Sequence, residues 1–143
     1  MNDALRAAAT DRPWDVIVIG GGVAGCFAAC RCADAGLRTL LIERASVPRA
    51  KVCGGCLTPA GVALLEDANL GHVLVEAPTL TRMTLRVGTR EASFEIPPYR
   101  VVSRASMDAE LLDAASTRGV NLVTRAPRGS PPRTTCCSLV EIG

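Results

Sequence analysis

Three glycines, Gly20-x-Gly22-x-x-Gly25, stand between a short apolar run and an alanine-rich one, and that junction restricts the fold more than any other part of the chain. Asp15 to Ile19, just before it, is rich in β-branched residues, which reads as a buried parallel strand. Val23 to Ala35, just after it, is apolar on most faces, the pattern of a helix packed against a sheet. Gly36 then supplies the left-handed residue that ends a helix. Arg38 to Ile42 is a second buried strand, closing at Glu43. Strand, turn, helix and strand follow one another in under thirty residues, which is one βαβ unit.

Each glycine of such a turn has a physical task. Gly20 permits the sharp exit from the strand, Gly22 lets backbone approach a pyrophosphate, and Gly25 lets the helix pack close to the sheet. The unpaired N–H groups at the helix start, with the positive end of the helix dipole, bind phosphate. Glu43 stands eighteen residues after Gly25, where a carboxylate can accept hydrogen bonds from an adenosine ribose. The competing explanation is a glycine-rich turn in an unrelated α/β protein; the agreement of strand, helix, spacing and acidic residue weighs against it. FAD and NAD share this turn, so it does not choose between them.

Downstream, a loop from Arg44 to Leu57 contains Pro48, Gly54 and Gly55. Thr58-Pro59 is an N-cap with proline at the first helical position; the helix should reach Ala68, with Gly71 as its stop. Met83, Leu85 and Val87 alternate on one face, as do Ala92, Phe94 and Ile96, and Gly88-Thr89 between them suits a hairpin turn. Pro97-Pro98 should break that pattern, leaving Tyr99 to Val102 as a short extended stretch. A helix begins at Ser103 or Ala105, carries Met107, Leu111, Leu112 and Ala115 on one stripe, and stops at Gly119; Val120 to Val123 is a last strand. The fold class is α/β: a Rossmann-type domain with a parallel sheet and a small antiparallel insertion.

Composition removes several functions. The net charge is +2 with scattered cations, and only four aromatic residues occur, so neither a basic nucleic-acid surface nor a base-stacking platform is expected. No secretory signal and no apolar run of spanning length is present, and a cytoplasmic location follows as the expectation. Seven cysteines at irregular spacing do not form a disulfide framework. Cys26, Cys30 and Cys32 fall on the first helix and read as small apolar residues. Cys53 and Cys56 have the spacing of a redox dithiol or of half a zinc site. No second pair accompanies them, and His72, the single histidine, reads as a surface residue; no metal site is expected.

Lys51-Val52-Cys53-Gly54-Gly55-Cys56-Leu57 and Arg104-Ala105-Ser106-Met107-Asp108-Ala109-Glu110-Leu111, together with the glycine turn, resemble three ordered motifs of the geranylgeranyl reductase branch of the aromatic-hydroxylase-like flavoproteins. The resemblance runs from about Asp15 to Val123. It implies FAD as cofactor, bound by Gly20, Gly22, Gly25, Glu43, Arg44, Lys51, Cys53, Gly54, Gly55 and Arg104. Glu43 would meet the adenosine ribose, and Arg104 the pyrophosphate or ribityl chain, for which a planar, permanently charged fork is suited. Cys53 would lie near the isoalloxazine, the one candidate for a catalytic position, with Cys56 incidental. Hydride transfer from NAD(P)H through the flavin to a small isoprenoid or aromatic substrate is the implied activity. Its rivals are a flavin-dependent monooxygenase and an inactive remnant or bare nucleotide-binding module.

Residues 1–14 read as an N-terminal extension, 15–123 as a partial FAD/NAD(P)-binding domain, and 124–143 as an irregular tail rich in Pro and Arg with the pair Cys136-Cys137. That tail has the composition of a GC-rich gene read out of frame. The Gly-Asp motif and substrate domain that the resemblance implies have no counterpart after Val123, so a truncated, weakly stable chain with weak FAD binding is expected.

Overall fold

The computed structural model describes residues 13–48, 53, 55–124 and 138–141. It divides into two units, one of residues 1–49 and 108–143, the other of residues 50–107.

In the first unit, β1 (Val16–Ile19), α1 (Val23–Asp34) and β2 (Thr39–Glu43) form the βαβ unit the sequence predicts. β1 pairs in parallel with β2, Val16 opposite Thr39. β6 (Asn121–Thr124) adds in parallel beyond β2. β7 (Ser138–Glu141) adds in parallel on the other side of β1, giving the order β6-β2-β1-β7. Central strands covered on both faces must be apolar throughout, and Ile17, Val18, Leu40 and Leu41 are each at most 1% exposed. Trp14, Ile17, Leu40 and Val123 form one core cluster with Ile19 and Ile42 packed against it. At the far end of β1, the Arg38 guanidinium lies 3.9 Å from the Trp14 ring centroid and donates to the Pro13 carbonyl at 2.9 Å. The Arg38 N–H donates to Asp15 Oδ2 at 2.7 Å.

The second unit holds β3 (Cys56–Leu57), α2 (Pro59–Asp67), a 3₁₀ turn (Gly71–Leu74), β4 (Thr79–Val87) and β5 (Arg90–Val101), with the sheet order β3-β5-β4. Helix α3 (Arg104–Thr117) contributes its first turn to this unit and the rest to the other. The hairpin is as predicted: Met83 faces Phe94 and Leu85 faces Ala92 across the strands. Gly88 takes φ 60° and is the one residue of the Gly88-Thr89 pair with positive φ, as a type II′ turn requires. On the opposite face Arg82 bonds Glu95, Thr84 bonds Ser93 and Arg86 bonds Glu91.

Four features differ from the sequence reading. Cys56–Leu57, at the end of the stretch expected to be a loop, forms the short strand β3 against Val101 and Arg100 of β5. Pro97-Pro98 does not end the strand; β5 continues through it, and the ladder slips there, with pairing passing from Arg82↔Glu95 to Leu80↔Tyr99. The bulge takes up the two residues that have no N–H, at a point where β3 has not yet joined β5 on its other side. Helix α2 reaches its C-cap at Ala68 as expected, but the residue that stops it is Asn69 and not Gly71: Asn69 has φ 53°, with Asn69 N–H donating to the Glu66 carbonyl at 2.9 Å and Leu70 N–H to the Leu65 carbonyl at 2.7 Å. That is the double closure glycines make after α1 and α3, and Asn is the other residue that tolerates it. Gly71 instead opens the 3₁₀ turn that carries the exposed His72. Finally, within the stretch taken as an irregular tail, Ser138–Glu141 is a strand of the parallel sheet. The run Ser-Leu-Val-Glu-Ile has strand character, but the Pro-, Arg- and Cys-rich residues before it dominate the local pattern.

Candidate functional site

The glycine turn leaves the carboxyl end of β1, and β1 lies between β2 and β7. Chain order runs outward from β1 through β2 to β6 on one side and then jumps to β7 on the other. The turn therefore occupies the point where strand order reverses, the crevice in which open parallel sheets bind ligands.

Gly20 has φ 108°, backbone that L side chains rarely adopt, and its N–H donates to the Ile42 carbonyl at 2.8 Å, tying the ends of β1 and β2. Gly22 is the N-cap of α1 in extended conformation; no side chain caps the helix and no acidic residue stands in its first turn. The first intrahelical bond of that end is Cys26 N–H to the Gly22 carbonyl at 2.9 Å, so the N–H groups of Val23, Ala24 and Gly25 have no partner within the helix. Gly25 is required sterically: a Cβ there would sit 1.8 Å from the Gly20 carbonyl oxygen and 3.5 Å from the Val18 side chain.

Glu43 is 5% exposed, at the end of β2. Its Oε2 accepts the Gly21 N–H at 2.8 Å and its Oε1 accepts the Ala45 N–H at 2.7 Å. A carboxylate has about four acceptor positions, so each oxygen retains capacity for a hydroxyl donor while its orientation is already fixed. Gly21, which the sequence reading passed over as an unspecified position, belongs to the arrangement. It is buried, and a Cβ there would come within 3.0 Å of Glu43 Cβ. The run of three glycines was the available signal.

Gly20, Gly22, Gly25 and Glu43 are thus brought together in the first unit, with Arg44 exposed immediately after Glu43. Cys53, Gly55 and Arg104 belong to the second unit. Gly55 has φ 69°, donates its N–H to Cys53 Sγ at 3.5 Å, and accepts the Val102 N–H at 2.7 Å. Arg104 is the first residue of α3 and half-buried; Asp108, four residues on, is 1% exposed. Lys51 and Gly54 lie outside the described residues. Among the described residues no group of three or more His, Cys, Asp or Glu converges, and no helix is long and apolar enough to cross a membrane.

An FAD fits this chemistry on its adenosine side. A helix start with unpaired N–H groups and no competing carboxylate suits the pyrophosphate, and an oriented, buried carboxylate one strand away suits the ribose.

The comparisons agree with this chemistry. The chain is similar to the menaquinone reductase of Mycobacterium tuberculosis (strain CDC 1551 / Oshkosh), 34% identical over 120 residues, covering 78% of this chain and 29% of that protein. It is similar to the geranylgeranyl diphosphate reductase of Rhodobacter capsulatus, 34% identical over 113 residues, covering 78% and 28%. Among solved structures it is similar to 2-methyl-3-hydroxypyridine-5-carboxylic acid oxygenase, with TM-score 0.68 and 26% identity, covering 77% and 31%. The chain therefore spans under a third of the length of these relatives. The family described as FAD dependent oxidoreductase matches residues 15–123, the span of all three sequence motifs. With the glycine turn at the switch point and the oriented Glu43, this match establishes that the chain belongs to the FAD-dependent oxidoreductase family.

Proposed function

We propose that this chain binds the adenosine diphosphate half of FAD at the glycine turn. It would form the cofactor-binding portion of a reductase that passes hydride from NAD(P)H to a small organic substrate of the isoprenoid class. The observation that carries the reading is the pairing of an uncapped helix start with a carboxylate already held by Gly21 and Ala45 N–H groups. The names of the two reductase relatives support the reaction class, and the Rhodobacter protein's name supports the substrate class.

When bound, the flavin supplies the hydride chemistry. The chain's own residues orient it. Backbone N–H groups from Gly22 onward hold the pyrophosphate, and Glu43 fixes the ribose. Arg44, directly after Glu43, would neutralise phosphate charge; the family resemblance assigns Cys53, Gly55 and Arg104 of the second unit to flavin binding as well, together with Lys51 and Gly54, which lie outside the described residues. The second reading, a flavin-dependent monooxygenase, is supported by the oxygenase among the structural neighbours.

The test is titration of the chain with FAD, followed by flavin fluorescence, with ADP as competitor. FAD should bind and ADP should displace it. Gly22→Leu should lose both ligands, and Glu43→Gln should weaken both by roughly tenfold, the worth of a charge-assisted hydrogen bond. Retention of FAD by Gly22→Leu would remove the pyrophosphate assignment. In the whole protein, NAD(P)H oxidation that depends on an isoprenoid and not on oxygen separates the reductase from the oxygenase.

A further inference from the structure

Cys53 and Cys56 are separated by two glycines and both are exposed, and neither is joined in a disulfide. The other cysteines of the described residues are different: Cys26 and Cys30 are fully buried within α1 and Cys32 is half-buried on it. The loop pair is therefore the accessible thiol chemistry of the described residues.

Three observations bear on its reactivity. The Gly55 N–H is aimed at Cys53 Sγ at 3.5 Å, a contact that a thiolate accepts more strongly than a thiol does. That hydrogen bond also brings Cys53 sulfur beside the backbone of the residue preceding Cys56. Cys56 stands two residues before Thr58, the N-cap of α2. Between Glu43 and Glu66 the sequence has no acidic residue but has Arg44, Arg49 and Lys51. Cys56 is meanwhile anchored, paired with Val101 in β3, while Gly55 beside it takes φ 69° without strain.

We propose that Cys53 and Cys56 are a thiol–disulfide exchange pair, with Cys53 as the attacking thiol and Cys56 as the resolving one, reacting with low-molecular-weight disulfides. In the first step Cys53 thiolate attacks one sulfur of the small disulfide; a Cys53–small-molecule S–S bond forms, and the first small thiolate leaves. In the second, Cys56 thiolate attacks Cys53 Sγ; the Cys53–Cys56 bond forms, and the second small thiolate leaves. The two protons of the protein thiols end on the two released thiols, so the protein loses two electrons and the small disulfide gains them. The exposed, four-residue ring belongs to the class of bonds that reduce readily, which makes the step reversible. It needs neither FAD nor the proposed reductase activity.

The experiment treats the full chain with oxidised glutathione, alkylates what remains, and maps tryptic peptides. Cleavage at Lys51 and Arg82 releases residues 52–82, which contain Cys53 and Cys56 and no other cysteine. The expected result is loss of both alkylation sites from this peptide with no glutathione retained. Dithiothreitol should restore both sites. Cys56→Ser should trap glutathione on Cys53, and Cys53→Ser should slow reaction at Cys56 several-fold. Cys26 and Cys30 should become reactive only in denaturant. Two alkylated thiols in peptide 52–82 after an exposure to oxidised glutathione that fully oxidises a small dithiol control would overturn the proposal. So would a persistent Cys53–glutathione adduct in the unaltered chain, or an undiminished rate at Cys56 in Cys53→Ser.

Discussion

The same glycine-to-alanine change has different meanings at Gly25 and Gly36. At Gly25 the added methyl would overlap the Gly20 carbonyl oxygen at 1.8 Å, and the atom it meets is backbone. At Gly36 nothing lies within 4 Å, and the whole cost comes from φ 76°. Gly36→Ala should lose about 1–2 kcal/mol, the cost of left-handed backbone for an L residue. Gly25→Ala should lose about 3 kcal/mol or more, since overpacking here cannot be relieved by a rotamer change. Urea unfolding of both variants checks this, and equal losses would show that the Gly20–Gly25 approach is not tight. Cys30 gives a pH prediction. Burial pushes its thiol above the ordinary range, against a hydrogen bond and charge from Arg118, with Asp34 adding to the rise. The folded chain thus holds this proton more tightly than the unfolded one. The stabilisation is full below the ordinary thiol pKa and is lost as pH climbs from there through the folded value. Denaturation midpoints should fall on the alkaline side, and Cys30→Ala should flatten that fall; an unchanged alkaline slope would rule Cys30 out as the source. At this scale the sequence was readable where a residue type answers a backbone demand, as at Gly20, Gly25 and Glu43. Gly21 escaped because its demand comes from a side chain twenty-two residues away.

Element boundaries depend on local bonds, and most were visible for that reason. Thr58 Oγ1 accepts the Gly61 N–H at 3.1 Å, with Pro59 next in the chain, as the sequence pattern predicts. Thr58→Ala should cost about 1 kcal/mol and Thr58→Ser much less. Thermal melting distinguishes them, and equal melts would mean that the hydroxyl is not what caps α2. The hairpin's charged face is a weaker contributor. Arg82 and Glu95 are 69% and 67% exposed at their side chains, so replacing both with alanine should change stability by less than about 1 kcal/mol. Pro97-Pro98 was misread because a proline's effect depends on whether a neighbouring strand needs its N–H. That is a property of the sheet and not of the dipeptide. Asn69 was passed over for Gly71 for a related reason: composition points to glycine, while the geometry is settled by which carbonyls the next two N–H groups can reach.

Sheet order is a property of the whole molecule, and local pattern did not contain it. Parallel strands, the βαβ unit and the antiparallel insertion were legible, since each has its own periodicity. That Ser138–Glu141 returns to lie against β1 was not, because register between distant segments is decided by tertiary packing. A chain ending at residue 137 would expose the free edge of β1, and should melt lower and aggregate more readily than the full chain. Melting and light scattering measure both effects; identical behaviour would show that the β1–β7 ladder contributes nothing. The position of β1 also sets a schedule. One flank of the strand that carries the glycine turn is complete once Thr39 to Ile42 have emerged from the ribosome, whereas the other needs residues 138–141. During synthesis the nascent turn therefore waits, half-walled, for nearly a hundred further codons before its second neighbour exists. Closure of its second wall is therefore open to a slow or paused ribosome throughout that interval.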